Sequence, residues 1–244
     1  MDKDSTNVTG THIGSICPIP VLRRLSHYLY YLRTQLDPEQ DWISSLELAH
    51  AIEATSSTVR QDLSCIDIKG RARRGYKVKE LISSILGLLG QDRTTNMAVV
   101  GAGNLGRALA LHEDFPKHGF VVCGLFDSDP RLLGEEVGHL VVMHPAKLAE
   151  IAKEKHVGVG IIAVPSPSAQ QAADLIVSSG VPAILNMSAA RVRVPRDIPI
   201  MHARMYSCLS LLSHAIAFRT RSASPSGASP PLHGAGLHGA VADP

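Results

Sequence analysis

The stretch MAVVGAGNLGRALA, residues 97–110, restricts the possible fold more than any other part of the chain. An apolar run meets a glycine-rich turn, Gly101-Ala102-Gly103-Asn104-Leu105-Gly106, and residues that favour a helix follow. That order is the strand, turn and helix of a dinucleotide-binding unit. Gly101 permits the tight turn, Gly103 lets the backbone approach a pyrophosphate, and Gly106 lets the helix pack against the strand. The free amides and the dipole at the helix start favour the anionic bridge. Asp127, 21 residues beyond Gly106, ends the apolar run GFVVCGLFD. A carboxylate there accepts hydrogen bonds from both hydroxyls of an adenosine ribose and repels a 2′-phosphate, so NAD(H) is expected rather than NADP(H). Ala163, Val164 and Pro165 fall at the carboxyl edge of the next strand, in IIAVPSPSAQ. Asn186, in ILNMSAA, ends the strand after it and is placed to reach the nicotinamide half.

Around this motif the chain alternates between strand and helix patterns. Strands are expected at 96–100, 120–126, 158–164, 183–186 and 198–203, and helices at 104–112, 145–155 and 168–179. Such alternation implies a parallel sheet covered on both faces. A last helix, 203–219, carries Met205, Leu209, Leu212 and Ile216 on one side. No His/Asp or Tyr/Lys pair is spaced to donate a proton during hydride transfer, and no substrate domain is expected behind the sheet. His112, His139, His144 and His156 read as surface or packing residues. No catalytic residue is therefore assigned. Two alternatives stand beside a regulator: an NAD-dependent dehydrogenase with an added helical domain, and a CoA- or nucleotide-binding module acting through protein partners.

The motif lies near the middle of a 244-residue chain, so a substantial segment precedes it. After a polar start, VLRRLSHYLYYLRTQL places Leu22, Leu25, Leu29 and Leu32 at helical spacing. DPEQDW breaks that helix. SSLELAHAIEA then offers Ser44 and Ser45 as caps and Leu46, Leu48, Ala49 and Ile52 as an apolar stripe. A third helix, 56–66, begins at Ser56 or Ser57 and carries Val59, Leu63 and Ile66. Gly70 and Gly75 bracket a basic hairpin, and KELISSILGLLG closes the segment as a helix. Helix, short helix, third helix and basic hairpin make a winged helix-turn-helix, with residues 56–66 entering the major groove of DNA. A small helical domain with a merely solvated hairpin is the plainer alternative.

Charge bears on that choice. The net charge is only +2. Residues 60–79 nevertheless hold Arg60, Lys69, Arg71, Arg73, Arg74, Lys77 and Lys79 against Asp62 and Asp67, a concentrated basic patch. With 45% apolar residues the chain can build a core, and aromatics at 4% leave that core to Leu, Ile, Val and Ala. No segment approaches the roughly 18–20 apolar residues of a membrane span. MDKDSTNVTG lacks the layout of a signal peptide, and the scattered Cys17, Cys65, Cys123 and Cys208 predict reduced, mostly buried thiols. A cytoplasmic protein with no metal site and no membrane partner is expected.

The segments IPVLRRLSHYLYYL, SSLELAHAIEATSSTVRQDLS, MAVVGAGNLGRAL, FDSDP, AVPSPSAQ and ILNMSAARVRVP, in that order over residues 16–218, resemble the Rex family of redox-sensing transcriptional repressors. The resemblance implies an α/β chain with a winged helix-turn-helix domain at 16–93 and a Rossmann-like parallel-sheet domain at 94–202. A C-terminal helix at 203–220 would be swapped between the two copies of a homodimer. Residues 1–15 and 221–244 are expected to be disordered. The resemblance also implies operator DNA and NAD(H) as ligands, with NADH releasing the DNA. By position, Arg60, Ser56, Ser57 and Thr58 would contact DNA from the recognition helix, and Lys69, Arg71, Arg73 and Arg74 from the wing. Gly101, Ala102, Gly103, Asn104, Leu105, Gly106, Asp127, Ala163, Val164, Pro165 and Asn186 would hold the coenzyme.

The chain departs from the family pattern at four places. Ser64-Cys65-Ile66-Asp67 stands where the family reads Ser-Tyr-Phe-Gly. Arg73 fills a glycine position of the wing, where an altered backbone is expected. Arg204 and His112 occupy the places of an Asp and a Tyr, so the hydrogen bond between that pair cannot form here.

Overall fold

The computed structural model describes residues 17–66, 68–203 and 205–223. Residues 1–15, the tail beyond 223 and Arg204 lie outside the described residues. Contacts divide the chain into two compact units, one ending at Ala203 and one starting at Arg204.

The first unit begins with α1 (Ile19–Thr34), entered through Pro18 as N-cap with a further proline in the first turn. Proline suits that place because its missing N–H has no partner there in any helix. Leu25, Leu29 and Leu32 are buried as the spacing predicts, and Val21 and Tyr28 join them. A short strand, β1 (Trp42–Ile43), leads to α2 (Ser45–Ala51). Ser44 caps α2 in a complete capping box: its hydroxyl accepts from Glu47 N, and the Glu47 carboxylate accepts from Ser44 N. Leu48 and Ala49 are buried, whereas Leu46, expected in the stripe, is exposed. It lies in the first turn, on the side opposite Leu48.

The third helix, α3 (Ser56–Ser64), is capped by Thr55 and not by Ser56 or Ser57. Thr55 Oγ1 accepts from Thr58 N at 3.1 Å, which leaves both serines inside the helix. β2 (Tyr76–Lys77) pairs antiparallel with β1, and α4 (Val78–Leu88) follows. Buried side chains of α1–α4, β1 and β2 form one apolar cluster. Helices, wing and two-stranded sheet are thus the predicted winged helix-turn-helix.

Then come β3 (Thr95–Val100), α5 (Asn104–Ala110), α6 (Asp114–Lys117) and β4 (Phe120–Phe126). β5 (Glu136–Val137), β6 (Leu140–Met143), α7 (Leu148–Glu154), β7 (Val157–Ile162), α8 (Ala169–Ser178), β8 (Ile184–Asn186) and β9 (Ile200–His202) complete the unit. The sheet order is β5-β6-β4-β3-β7-β8-β9. β5 joins antiparallel at the edge. The six others are parallel and in the order of a doubly wound dinucleotide-binding sheet, whose direction of winding reverses between β3 and β7. Alternation along β3 sends Ala98 and Val100 into one apolar layer and Met97 and Val99 into the other. β5 and β6 were not expected from the sequence.

The second unit contains α9 (Met205–Ala223). It runs past residue 220, where the expected boundary of the tail falls; Pro225 is the first residue that cannot continue a helix. Met205, Leu209, Leu212 and Ile216 are all exposed. Among the described residues no helix is long and apolar enough to cross a membrane.

Candidate coenzyme cleft and nucleic-acid interface

A cleft of about 490 Å³ opens at the reversal point between β3 and β7. Gly101, Asp127 and Val164 line it, as the sequence predicts. Gly101 has φ of 109°, a left-handed-side conformation that favours glycine. A Cβ there would lie 2.5 Å from the carbonyl oxygen of Ala163. Gly101 N donates to Phe126 O at 2.7 Å and Ala163 N to Val100 O at 2.8 Å, so all three strand ends are tied at the turn. Gly106 touches the Gly101 carbonyl so closely that no side chain fits. Gly103 differs from both: nothing lies within 4 Å of the place a Cβ would take. Two glycines build the turn, and the third keeps its outer side open.

Asp127 is fixed rather than pendant. One carboxylate oxygen accepts from Ala102 N at 2.7 Å and the other from Asp129 N at 2.9 Å. Carboxylate oxygens have further lone pairs, so the group remains able to accept from a ribose diol. The Asp129 carboxyl beside it is held down at about 2 by hydrogen bonds from Arg131. Arg107 Nε donates to Ala102 O at 2.8 Å and its guanidinium pairs with Glu135, which braces the loop from below. A dinucleotide fits this donor set: an open glycine at the helix start, a held carboxylate at the strand end and an apolar wall.

Asn104 and Leu105 open α5, while Ala163 and Pro165 flank cleft-lining Val164 in sequence. Asn186 is not brought to the cleft. It is fully buried, and its amide donates to Ala190 O and His202 Nδ1 and accepts from Ser188 N and Ser188 Oγ. Its polar atoms tie the turn after β8 to β9, so the expected side-chain contact with a coenzyme is replaced by a structural role. The sequence reading missed Ser168, the N-cap of α8, and Gln171, Asp174 and Ser178 along the helix, all of which line the cleft. Their signal was present: Gln171, Asp174 and Ser178 share one face of the helix, opposite buried Ala169, Ala173 and Ile176, with Ala172 and Leu175 lining the cleft beside them.

In the winged domain, Ser57 and Arg60 are exposed on α3, with Gln61 and Ser64 completing the same face. Ser56 is half-buried, and Thr58 is drawn into the cap, its hydroxyl 2.9 Å from that of Thr55. The opposite face carries Asp62, only 1% exposed. Arg24 Nε and Nη2 donate to its two oxygens at 2.7 and 2.6 Å, and Tyr28 Oη donates at 2.9 Å. The hydrogen bond to Asp62 pushes Arg24 further up, and burial pushes the Tyr28 phenol up. These three groups lock the recognition helix onto α1.

Lys69, Arg71, Arg73 and Arg74 are all exposed on the wing. Arg71 N donates to Gly75 O at 2.7 Å and Gly75 N to Arg71 O at 2.9 Å, closing a tight turn. Arg73 has φ of 63°, the left-handed conformation that glycine adopts freely; arginine bears its strain there. Trp42 was not foreseen. The Arg71 and Arg74 guanidiniums stand 5.2 and 5.5 Å from its ring centre, a cation–π clamp at the base of the wing. The far end of α1 meets the sheet domain: Arg33 donates to Lys117 O at 2.6 Å, and the Tyr30 and His118 rings stack at 5.9 Å. His112 stacks on Phe115 at 4.5 Å, next to that contact in sequence.

Residues 17–64 match the family model described as a putative DNA-binding protein N-terminus, and residues 92–190 the model described as a CoA binding domain. The redox-sensing transcriptional repressor Rex of Syntrophomonas wolfei is 37% identical over 204 residues, covering 84% of this chain and 97% of the relative. That of Clostridium perfringens is 36% identical over 198 residues, covering 80% and 93%. Crystal structures of RSP, a Rex-family repressor, match in fold. The complex with β-NAD+ and operator DNA has a TM-score of 0.77 at 32% identity, covering 87% of this chain and all of that one. The complex with β-NADH has a TM-score of 0.75 at 33% identity, covering 85% and 98%. Motif order, sheet topology and near full-length similarity agree, and the chain belongs to the Rex family of redox-sensing transcriptional repressors.

Proposed function

We propose that this chain is a repressor that binds operator DNA as a homodimer, senses the NADH/NAD+ ratio and leaves its operator when NADH is bound. The observation that carries the reading is one compact unit holding both an exposed recognition face and a dinucleotide cleft, bridged by α1. Rex-family RSP structures with NAD+ and operator, and with NADH, support the same pairing of ligands.

Gly101 and Gly106 hold the turn, Gly103 faces the pyrophosphate, and Asp127 accepts from the adenosine ribose. The bound dinucleotide supplies a nicotinamide ring that is cationic when oxidised and neutral when reduced. Ser57 and Arg60 read base edges from the major groove, while Lys69, Arg71, Arg73 and Arg74 neutralise phosphates. The exposed apolar side of α9 supports pairing with a second copy, which would set two recognition helices at half-site spacing. Residues 16–93, 94–202 and 203–220 act as reading, sensing and dimerising parts.

DNA selected from random sequence by the protein itself provides an operator for a gel-shift test. Release by NADH, with NAD+ and CoA leaving the complex intact, is the expected result. Equal binding at every NADH/NAD+ ratio refutes sensing, and release by CoA alone favours the nucleotide-module alternative.

A further inference from the structure

The coenzyme cleft holds a second carboxylate besides that of Asp127. Asp174 lies on α8 and lines the cleft in one row with Gln171 and Ser178. It is held in place by a side-chain bridge. Gln170 Nε2 donates to Asp174 Oδ1 at 2.8 Å and to Arg193 O at 2.9 Å, and Gln170 Oε1 accepts from Arg193 N at 2.8 Å. Gln170 thus pins one carboxylate oxygen to the loop between β8 and β9. The other, Oδ2, accepts from no group among the described residues and is left for a donor in the cleft.

The sheet order says which part of a dinucleotide supplies that donor. Ser128 directly follows Asp127, and Pro145 comes after β6, the neighbour of β4, so both stand on the β4 and β6 side of the cleft. A ribose held by Asp127 carries its base into the space between that side and α8. Pro145, Ala172 and Leu175 give apolar walls there. A purine has the matching build: a flat apolar body with polar groups at its rim.

We propose, on the basis of the coenzyme reading above, that Asp174 selects the base by accepting a hydrogen bond from the N6 amine of adenine. Adenine carries a donor at position 6, whereas guanine and hypoxanthine carry an acceptor oxygen there. Ser128, Ser168 and Gln171 can each donate or accept, so they suit either kind of base. An ionised carboxylate only accepts. Asp174 therefore meets the amine in a charge-assisted hydrogen bond and meets an oxygen as two facing acceptors. Hypoxanthine has a donor one ring position away, at N1, but the bridge through Gln170 keeps the carboxylate from following it.

The test titrates the full chain, by nicotinamide fluorescence, with NADH and with reduced nicotinamide hypoxanthine dinucleotide, which differs only in its base. The hypoxanthine coenzyme should bind about tenfold more weakly, the low end for a hydrogen bond to a charged group because Asp174 is exposed. In Asp174→Asn the new carbonyl keeps the hydrogen bond from Gln170, which turns the amide N–H groups toward the base. The preference for adenine should then vanish or reverse, in a variant that urea denaturation shows to be folded. Equal affinity of the parent for the two coenzymes overturns the proposal and leaves the coenzyme reading standing. So does a variant that loses affinity for both by the same factor, or keeps the parent's preference. Failure of NADH itself to bind the parent refutes the coenzyme reading and the proposal with it.

Discussion

Replacing Gly103 by alanine separates a coenzyme cradle from a merely structural turn. Gly103 has φ of −71° and ψ of −172°, extended backbone open to any residue, and its Cβ position is clear for 4 Å. Gly103→Ala should therefore fold as well as the parent or gain about 0.4–1 kcal/mol by restricting the unfolded chain. In the complex the added methyl occupies the space through which the backbone approaches the pyrophosphate. Overpacking by one methyl costs about 1–3 kcal/mol, or roughly 5- to 150-fold in NADH affinity. Urea denaturation and nicotinamide fluorescence titration measure the two effects separately. Operator binding should survive in the variant but lose its response to NADH. Unchanged NADH affinity in a folded variant would refute the placement of the pyrophosphate over residue 103, and a destabilised variant would refute the backbone argument.

Other substitutions test the supporting parts. Gly106→Ala drives a Cβ into the Gly101 carbonyl and should cost about 1–3 kcal/mol or more in urea denaturation, the opposite of Gly103→Ala. Asp62→Asn removes one charge of a buried pair, for about 3 kcal/mol. That is the low end of the usual range, because the Arg24 side chain is 32% exposed and can be partly hydrated; a loss below half a kcal/mol would deny the lock between α1 and α3. Arg73→Gly relieves a left-handed arginine and should stabilise the chain by about 1 kcal/mol. The same variant should lower the salt slope of DNA binding by about one phosphate contact, and an unaltered slope would place Arg73 away from the backbone of DNA.

The glycine turn, Asp127 and the capping serine of α2 were legible because each depends on a local pattern: spacing, periodicity or a short side chain before a helix. The polar face of α8 was equally local, but that it lines a cleft appears only in the fold, which brings it to Val100 and Gly101 at the end of β3. Asn186 shows the reverse case. Its position at a strand end suggested a ligand, yet two nearby loop residues and one on β9 take up its amide. Trp42 was read as part of a breaker, since its value lies in pairing β1 with β2 and so in meeting arginines some thirty residues away. Contacts between distant segments depend on tertiary packing, which no local window contains.

Thermodynamic reciprocity tests the central claim, that the cleft and the recognition helix are coupled, more directly than any variant. Operator affinity should be measured by anisotropy with and without saturating NADH at one salt concentration. NADH affinity should then be measured with and without saturating operator. The account predicts the same factor both ways, about 5–150-fold, with NAD+ giving a much smaller one. A factor of one in either titration would contradict it.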